Sequence, residues 1–194
     1  NAWREAGTRF QGGTIKGITS KLDYLQDLGV TTLWIGPVWK QRADLATYHG
    51  YGIQNFLEID PRFGTRRALR ELVDAAHDRE MYVLLDAIYN HTGNNWFYRD
   101  DGSHRTMMPY RYAPPHPFGG WRSSAGEPID EIASIEDGVW PLDLQDPDLY
   151  TRAGRIGHWD PASWEDQLHP ETEFRRGDFY DLKDLDLEQG RVLS

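Results

Sequence analysis

Between residues 12 and 28 the apolar positions Ile15, Ile18, Leu22, Leu25 and Leu28 recur three or four apart, which predicts an amphipathic helix with one buried stripe. Gly29 supplies its C-terminal stop. Residues 31–35 are a short β-branched and apolar run closed by Gly36-Pro37, the pattern of a buried strand that opens into a loop. The next helix is signalled more fully: Thr65 is placed to cap it, Ala68, Leu69, Leu72, Val73 and Ala76 line one face, and Arg79 lies in its last turn. Residues 81–86 follow as a second apolar strand. Helix, strand, loop, helix, strand with short connectors is the pattern of parallel βα units, so this half of the chain is expected to be α/β.

After His91 the pattern changes. Residues 92–181 hold proline, glycine, tryptophan and acidic positions with little sustained periodicity, which predicts an irregular insertion. Phe97, Tyr98, Trp121, Trp140, Trp159 and Trp164 give that insertion something to bury, so full disorder is not expected. The organisation read from the pattern is therefore an early α/β segment over residues 1–91, the insertion over 92–181, and a return over 182–194 that starts a further helix.

Composition narrows the partners. The chain has 194 residues, room for one or two compact domains. Aromatics make up 13% of it, with eight tryptophans and ten tyrosines, and such rings either fill cores and loops or stack on the apolar faces of sugars. A net charge of −10 counts against nucleic acid and anionic membrane, both of which it repels, and favours a neutral ligand. The absence of cysteine excludes disulfides, thiolate metal sites and cysteine nucleophiles, and leaves the redox compartment open. No apolar stretch approaches the length of a bilayer-spanning helix.

Candidate chemistry gathers where the second strand ends. In Val83-Leu84-Leu85-Asp86-Ala87-Ile88-Tyr89-Asn90-His91 an apolar strand is followed at once by a carboxylate, an amide and an imidazole. Loops after parallel strands share one face and hold the site in α/β architectures, and polar groups at the mouth of a buried strand need partners or ligands.

These residues resemble the alpha-amylase superfamily of glycoside hydrolases. Asp86-Ala87-Ile88-Tyr89-Asn90-His91 is similar to the Asp-x-x-x-Asn-His motif that ends that family's third barrel strand. Gly12-Gly13-Thr14 with Lys21-Leu22-Asp23-Tyr24-Leu25 resembles its first helix, and Leu33-Trp34-Ile35-Gly36-Pro37-Val38 its second strand. Tyr48-His49-Gly50-Tyr51 and Asp60-Pro61-Arg62-Phe63-Gly64-Thr65 resemble the segments between those strands, and Leu182-Lys183-Asp184-Leu185-Asp186 the Leu-Pro-Asp-Leu segment near the end of the inserted domain B, with Lys183 in place of proline. The resemblance implies a partial TIM (β/α)8 barrel with an inserted domain after the third strand.

It also implies roles for named residues. His91 hydrogen-bonds glucose at the cleavage subsite, Tyr51 stacks beneath the ring and His49 sits beside it, while Asp86 orients its neighbours. Asn90, with Asp184, stands where many members hold a structural calcium, an ion that takes oxygen donors, and where others use the asparagine for hydrogen bonds alone. Asp184 also belongs to an acidic run with Asp178, Asp181, Asp186 and Glu188 that reads equally as a solvated face. No organic cofactor is implied.

In that family the nucleophile, the acid/base glutamate and a further aspartate end later strands, and none of their motifs occurs here, so no catalytic residue is expected in this chain. The first strand is likewise expected to lie outside it, Asn1 falling just before the first helix. The chain is thus read as a segment of a longer α-glucan-active enzyme that works with retention, inert alone because it lacks the nucleophile and acid/base, and expected to be unstable or to associate because two strands cannot close a barrel. The alternative is a non-catalytic relative that keeps the scaffold for sugar binding or partner contact.

Overall fold

The computed structural model describes residues 12–45, 49–159 and 170–188. Two compact units divide the chain, one from Asn1–Gln41 and Leu45–Ile88, the other from Arg42–Asp44 and Tyr89–Ser194.

In the first unit the helix expected over residues 12–28 is two short helices, α1 (Ile15–Thr19) and α2 (Leu22–Asp27). Thr14 caps α1 by accepting from the Gly17 amide at 3.0 Å. The break comes at Ser20, whose hydroxyl donates to the Gly17 carbonyl at 2.8 Å and draws the backbone into a local turn. The apolar stripe survives the break: Ile15 and Leu22 are buried, with Ile18 and Leu25 packed beside them, while Leu28 lies exposed beyond the second helix.

Strands β1 (Thr32–Ile35) and β4 (Tyr82–Leu85) pair in parallel, with Thr32 opposite Tyr82 and Ile35 opposite Leu85. The crossover between them contains α3 (Arg66–His77), which Thr65 caps by accepting from the Ala68 amide at 3.1 Å. Its residues Ala68, Leu72 and Ala76, four apart, pack with Leu33, Ile35 and Met81 into one core. The opposite face of this two-stranded sheet is open, with Trp34 75% exposed. Between β1 and α3 stand β2 (Trp39–Gln41) and β3 (Ile53–Ile59), an antiparallel pair that the apolar pattern does not announce. Gln54 and Asn55 interrupt the alternation, yet both are buried, and the register shifts twice.

The second unit carries regular structure where periodicity predicted none. Strands β6 (Trp96–Asp100), β7 (Ser103–Arg105), β8 (Phe118–Arg122) and β9 (Pro128–Ile129) form an antiparallel sheet in the order β7-β6-β8-β9. Its strands have two to five residues, too short to establish a period of two. A β-carbon on Gly119 would lie 2.6 Å from the Tyr98 backbone, so the two strands approach only because that position is glycine. Trp96, Phe97, Tyr98 and Trp121 are buried on this sheet, and the Arg122 guanidinium lies 3.5 Å from the Phe97 ring centre. Strands β5 (His91–Thr92) and β10 (Lys183–Asp184) form a separate antiparallel pair, with α4 (Pro170–Arg176) earlier in the chain than β10. Tyr48, Trp164 and most of the helix expected after residue 185 lie outside the described residues.

Candidate functional site

The sequence-derived candidates fall into two groups, one in each unit, because the Asp86–His91 motif crosses the division between Ile88 and Tyr89.

In the first unit, Asp86 follows β4 directly, and its amide donates to the Ile35 carbonyl at 2.9 Å, which carries the parallel ladder one step past the strands. Its carboxylate Oδ2 accepts from the Tyr51 hydroxyl at 3.3 Å. The Tyr51 amide donates to His49 Nδ1 at 3.0 Å, and the two rings stack with centroids 5.7 Å apart at 26°. A backbone N–H can only donate, so Nδ1 is the acceptor and neutral His49 carries its proton on Nε2. The turn between them depends on Gly50: its φ is +80°, and a β-carbon there would lie 2.1 Å from the Pro37 carbonyl oxygen. The negative charge of Asp86 raises the Tyr51 pKa, with desolvation and the hydrogen bond adding to it, so the phenol stays protonated and keeps donating. Tyr51 is 39% exposed and His49 is exposed, which leaves ring surface accessible to a ligand.

Behind that loop a clamp fixes the end of β3. Arg62 grips Asp60 through Nε at 2.8 Å and Nη2 at 2.7 Å, and the Gln41 amide donates to the same carboxylate at 3.1 Å. The sequence singled out the Asp60–Thr65 stretch, and its aspartate and arginine serve this joint.

In the second unit, Asn90 Nδ2 donates to Asp184 Oδ1 at 2.9 Å, and the Leu185 amide donates to the Asn90 carbonyl at 2.9 Å. His91 stands opposite Asp184 in the β5–β10 register. The acidic run is not a uniformly solvated face, since Asp178 and Asp184 are both buried. Burial, and then the charge of Asp178, push the Asp184 carboxyl up to about 8, and its Oδ2 is buried without a hydrogen-bond partner.

Lys183 is the residue whose importance the sequence did not show. It marked only a departure from proline, yet its side chain is 0% exposed. Its Nζ donates to the Thr106 carbonyl at 2.6 Å and to Asp178 Oδ2 at 3.3 Å, and lies 4.9 and 4.6 Å from the ring centres of Trp96 and Tyr98. Asp178 also accepts from the Tyr98 hydroxyl at 2.7 Å and from the Asp184 amide at 3.2 Å. Desolvation lowers the Lys183 pKa, and the neighbouring Asp178 carboxylate opposes that shift.

Among the described residues, no three His, Asp or Glu side chains converge as a metal cluster. Asn90 and Asp184 carry side-chain oxygens, the donor type that calcium takes, and Asp184 Oδ2 is buried without a hydrogen-bond partner.

The model of the alpha amylase catalytic domain matches residues 4–160, and the chain belongs to that family of glycoside hydrolases. An alpha-amylase of Streptomyces lividans is 32% identical over 200 residues, which cover 95% of this chain and 21% of that protein. The periplasmic alpha-amylase of Escherichia coli is 43% identical over 100 residues, 46% of this chain and 15% of that one. Among solved structures, the alpha-amylase from Geobacillus thermoleovorans complexed with acarbose superposes with a TM-score of 0.61 at 29% identity, covering 96% of this chain and 30% of its own. An Anoxybacillus alpha-amylase gives 0.62 at 26% identity, covering 97% and 30%. These neighbours are TIM-barrel alpha-amylases, and the described strands here form small parallel and antiparallel sheets that correspond to part of such a fold. The chain spans about a fifth of the length of the Streptomyces lividans relative.

Proposed function

We infer that this chain is the sugar-binding portion of an enzyme that cleaves or transfers α-glucosidic bonds. Tyr51 stacks beneath a glucose ring, His49 flanks it, and His91 hydrogen-bonds glucose hydroxyls. Asp86 acts through Tyr51, holding the phenol in place rather than attacking sugar. The observation that carries this reading is the Tyr51 assembly: a half-exposed ring fixed by Asp86 at the mouth of a parallel strand pair and by His49 through its own backbone. Pre-fixing a stacking ring removes the entropy that a ligand would otherwise have to supply.

The nucleophile and the acid/base belong to segments that this chain does not contain, and the reaction they run proceeds with retention through two carboxyl groups about 5 to 5.5 Å apart. The region from Thr92 to Asp181 corresponds to domain B. Asn90 and Asp184 would hold a structural calcium, which would supply positive charge beside the buried Asp184 carboxyl and take no part in the bond cleavage. Chelation is then expected to lower the thermal midpoint of the complete protein, and D184N to abolish that sensitivity. The other reading, a non-catalytic scaffold, has against it the side-chain arrangement around Tyr51, which packing alone does not require.

The deciding experiment measures reducing sugar released from starch, maltose, sucrose and trehalose by the complete gene product and by this chain alone. Activity in the complete protein with an inert chain supports the assignment, and the substrate profile names the bond. Glucan cleavage by the chain alone would make Asp86 a catalytic carboxylate, and an inert complete protein would favour the scaffold.

A further inference from the structure

Strands β5 and β10 have two residues each, with His91 opposite Asp184 and Thr92 opposite Lys183. A ladder that short has little alternation of its own to set its register, and backbone bonds do not distinguish one residue from the next. Side chains supply the difference. At one end Asn94 Nδ2 donates to Asp181 Oδ2 at 3.1 Å, and at the other Asn90 Nδ2 donates to Asp184 Oδ1 at 2.9 Å. Between them the Lys183 side chain runs into the core of the unit, to the Thr106 carbonyl, Asp178 Oδ2 and the rings of Trp96 and Tyr98.

Thr106 closes this network. Its hydroxyl accepts from Arg122 Nη2 at 2.6 Å, and Arg122 Nε donates to Asn94 Oδ1 at 3.2 Å. Asn94 leads back to Asp181, two residues before Lys183. The Lys183 and Asp178 side chains are 0% and 1% exposed, so their ion pair is enclosed by this unit's own residues and salt screens it little. Asp178 uses its other oxygen to accept from the Asp184 amide at 3.2 Å, which ties the charge pair to the residue that faces His91. An apolar side chain of similar length would fill the space beside Trp96 and Tyr98 without the cost of desolvating two charges. What the ammonium adds is directed bonds that hold one residue of β10 at one place.

We propose that Lys183 is a positioning residue for sugar binding: its buried ammonium fixes β10, and β10 in turn sets where β5 presents His91. The inference rests on the reading above that His91 hydrogen-bonds glucose. Hydrogen bonds tolerate little misplacement, so a shift of about 1 Å in His91 is enough to lose its contribution.

A double-mutant cycle on the complete gene product tests the proposal, with kcat/KM on maltoheptaose read below the thermal midpoint of each variant. H91A and K183M are each expected to lower kcat/KM about fivefold or more, and K183M is expected to lower it less than about twofold further in the H91A background. Should K183M fold too poorly to assay, K183M/D178N takes its place, since asparagine keeps an oxygen for the Asp184 amide. That variant is expected to regain stability while kcat/KM stays low, because the ammonium bonds are still missing. Unchanged kcat/KM in folded K183M, or an equal loss in both backgrounds, overturns the proposal. Joint recovery of stability and kcat/KM in K183M/D178N also overturns it, by making packing sufficient. Unchanged kcat/KM in H91A refutes the reading of His91 and the proposal with it, an outcome distinct from those that strike Lys183 alone.

Discussion

At the scale of single residues, three positions carry conformational or electrostatic demands that their neighbours cannot share. Gly50 turns the chain between His49 and Tyr51 at a φ of +80° against the Pro37 carbonyl. G50A combines an unfavourable backbone with a direct clash, and is expected to destabilise the protein by about 2 kcal/mol or more in urea titration. Lys183 is completely buried against Asp178. K183M leaves that buried carboxylate without its counter-charge, with only the Tyr98 hydroxyl and the Asp184 amide donating to it, at a cost of about 3 kcal/mol. The double variant K183M/D178N is expected to recover part of the loss, and a fully additive double variant would mean the pair is not coupled. Asp60 sets a pH dependence. Burial pushes its pKa up, but the Arg62 bonds and the Gln41 amide outweigh burial, and the folded-state value lies below 3.8. Its contribution is therefore complete above the unfolded value and is lost as pH falls from 3.8 through the folded value. The stability of D60N is expected to fall less steeply over that acid range than that of the parent.

At the scale of elements, what the sequence reveals depends on how long a pattern runs. Helix α3 was legible from both its cap and its stripe, and T65A is expected to cost about 1 kcal/mol in thermal unfolding, since it removes the bond to the Ala68 amide. Strands β1 and β4 were legible as apolar runs. The stripe from Ile15 to Leu28 has the spacing of one helix because that spacing is insensitive to a one-turn break, and the hydroxyl of Ser20 makes that break. Strand β3 was hidden because Gln54 and Asn55 are buried polar residues inside it. The sheet from β6 to β9 was hidden because its strands are short and one of them, Phe118–Arg122, contains two consecutive glycines. Among the candidate residues, Asp86, Asn90 and His91 are marked in the sequence by standing after an apolar strand. Lys183 did not, because nothing along the chain marks a lysine as buried; only its contact with residues as distant as Thr106 does so.

At the scale of the whole molecule, an acidic chain with abundant aromatics belongs to a family that acts on neutral sugars. Tyr51 is exposed, and its hydroxyl is tied to the Asp86 carboxylate just past a parallel strand pair. The central claim is that Tyr51 serves glucose rather than packing. The most direct test is kcat/KM of the complete gene product on maltoheptaose for the parent and for Y51A, with the thermal midpoint of each recorded alongside. A drop of about tenfold or more in kcat/KM, with the midpoint within about 2 °C, is the predicted result. An unchanged kcat/KM, or a loss wholly matched by unfolding, would contradict the account and return Tyr51 to a structural role.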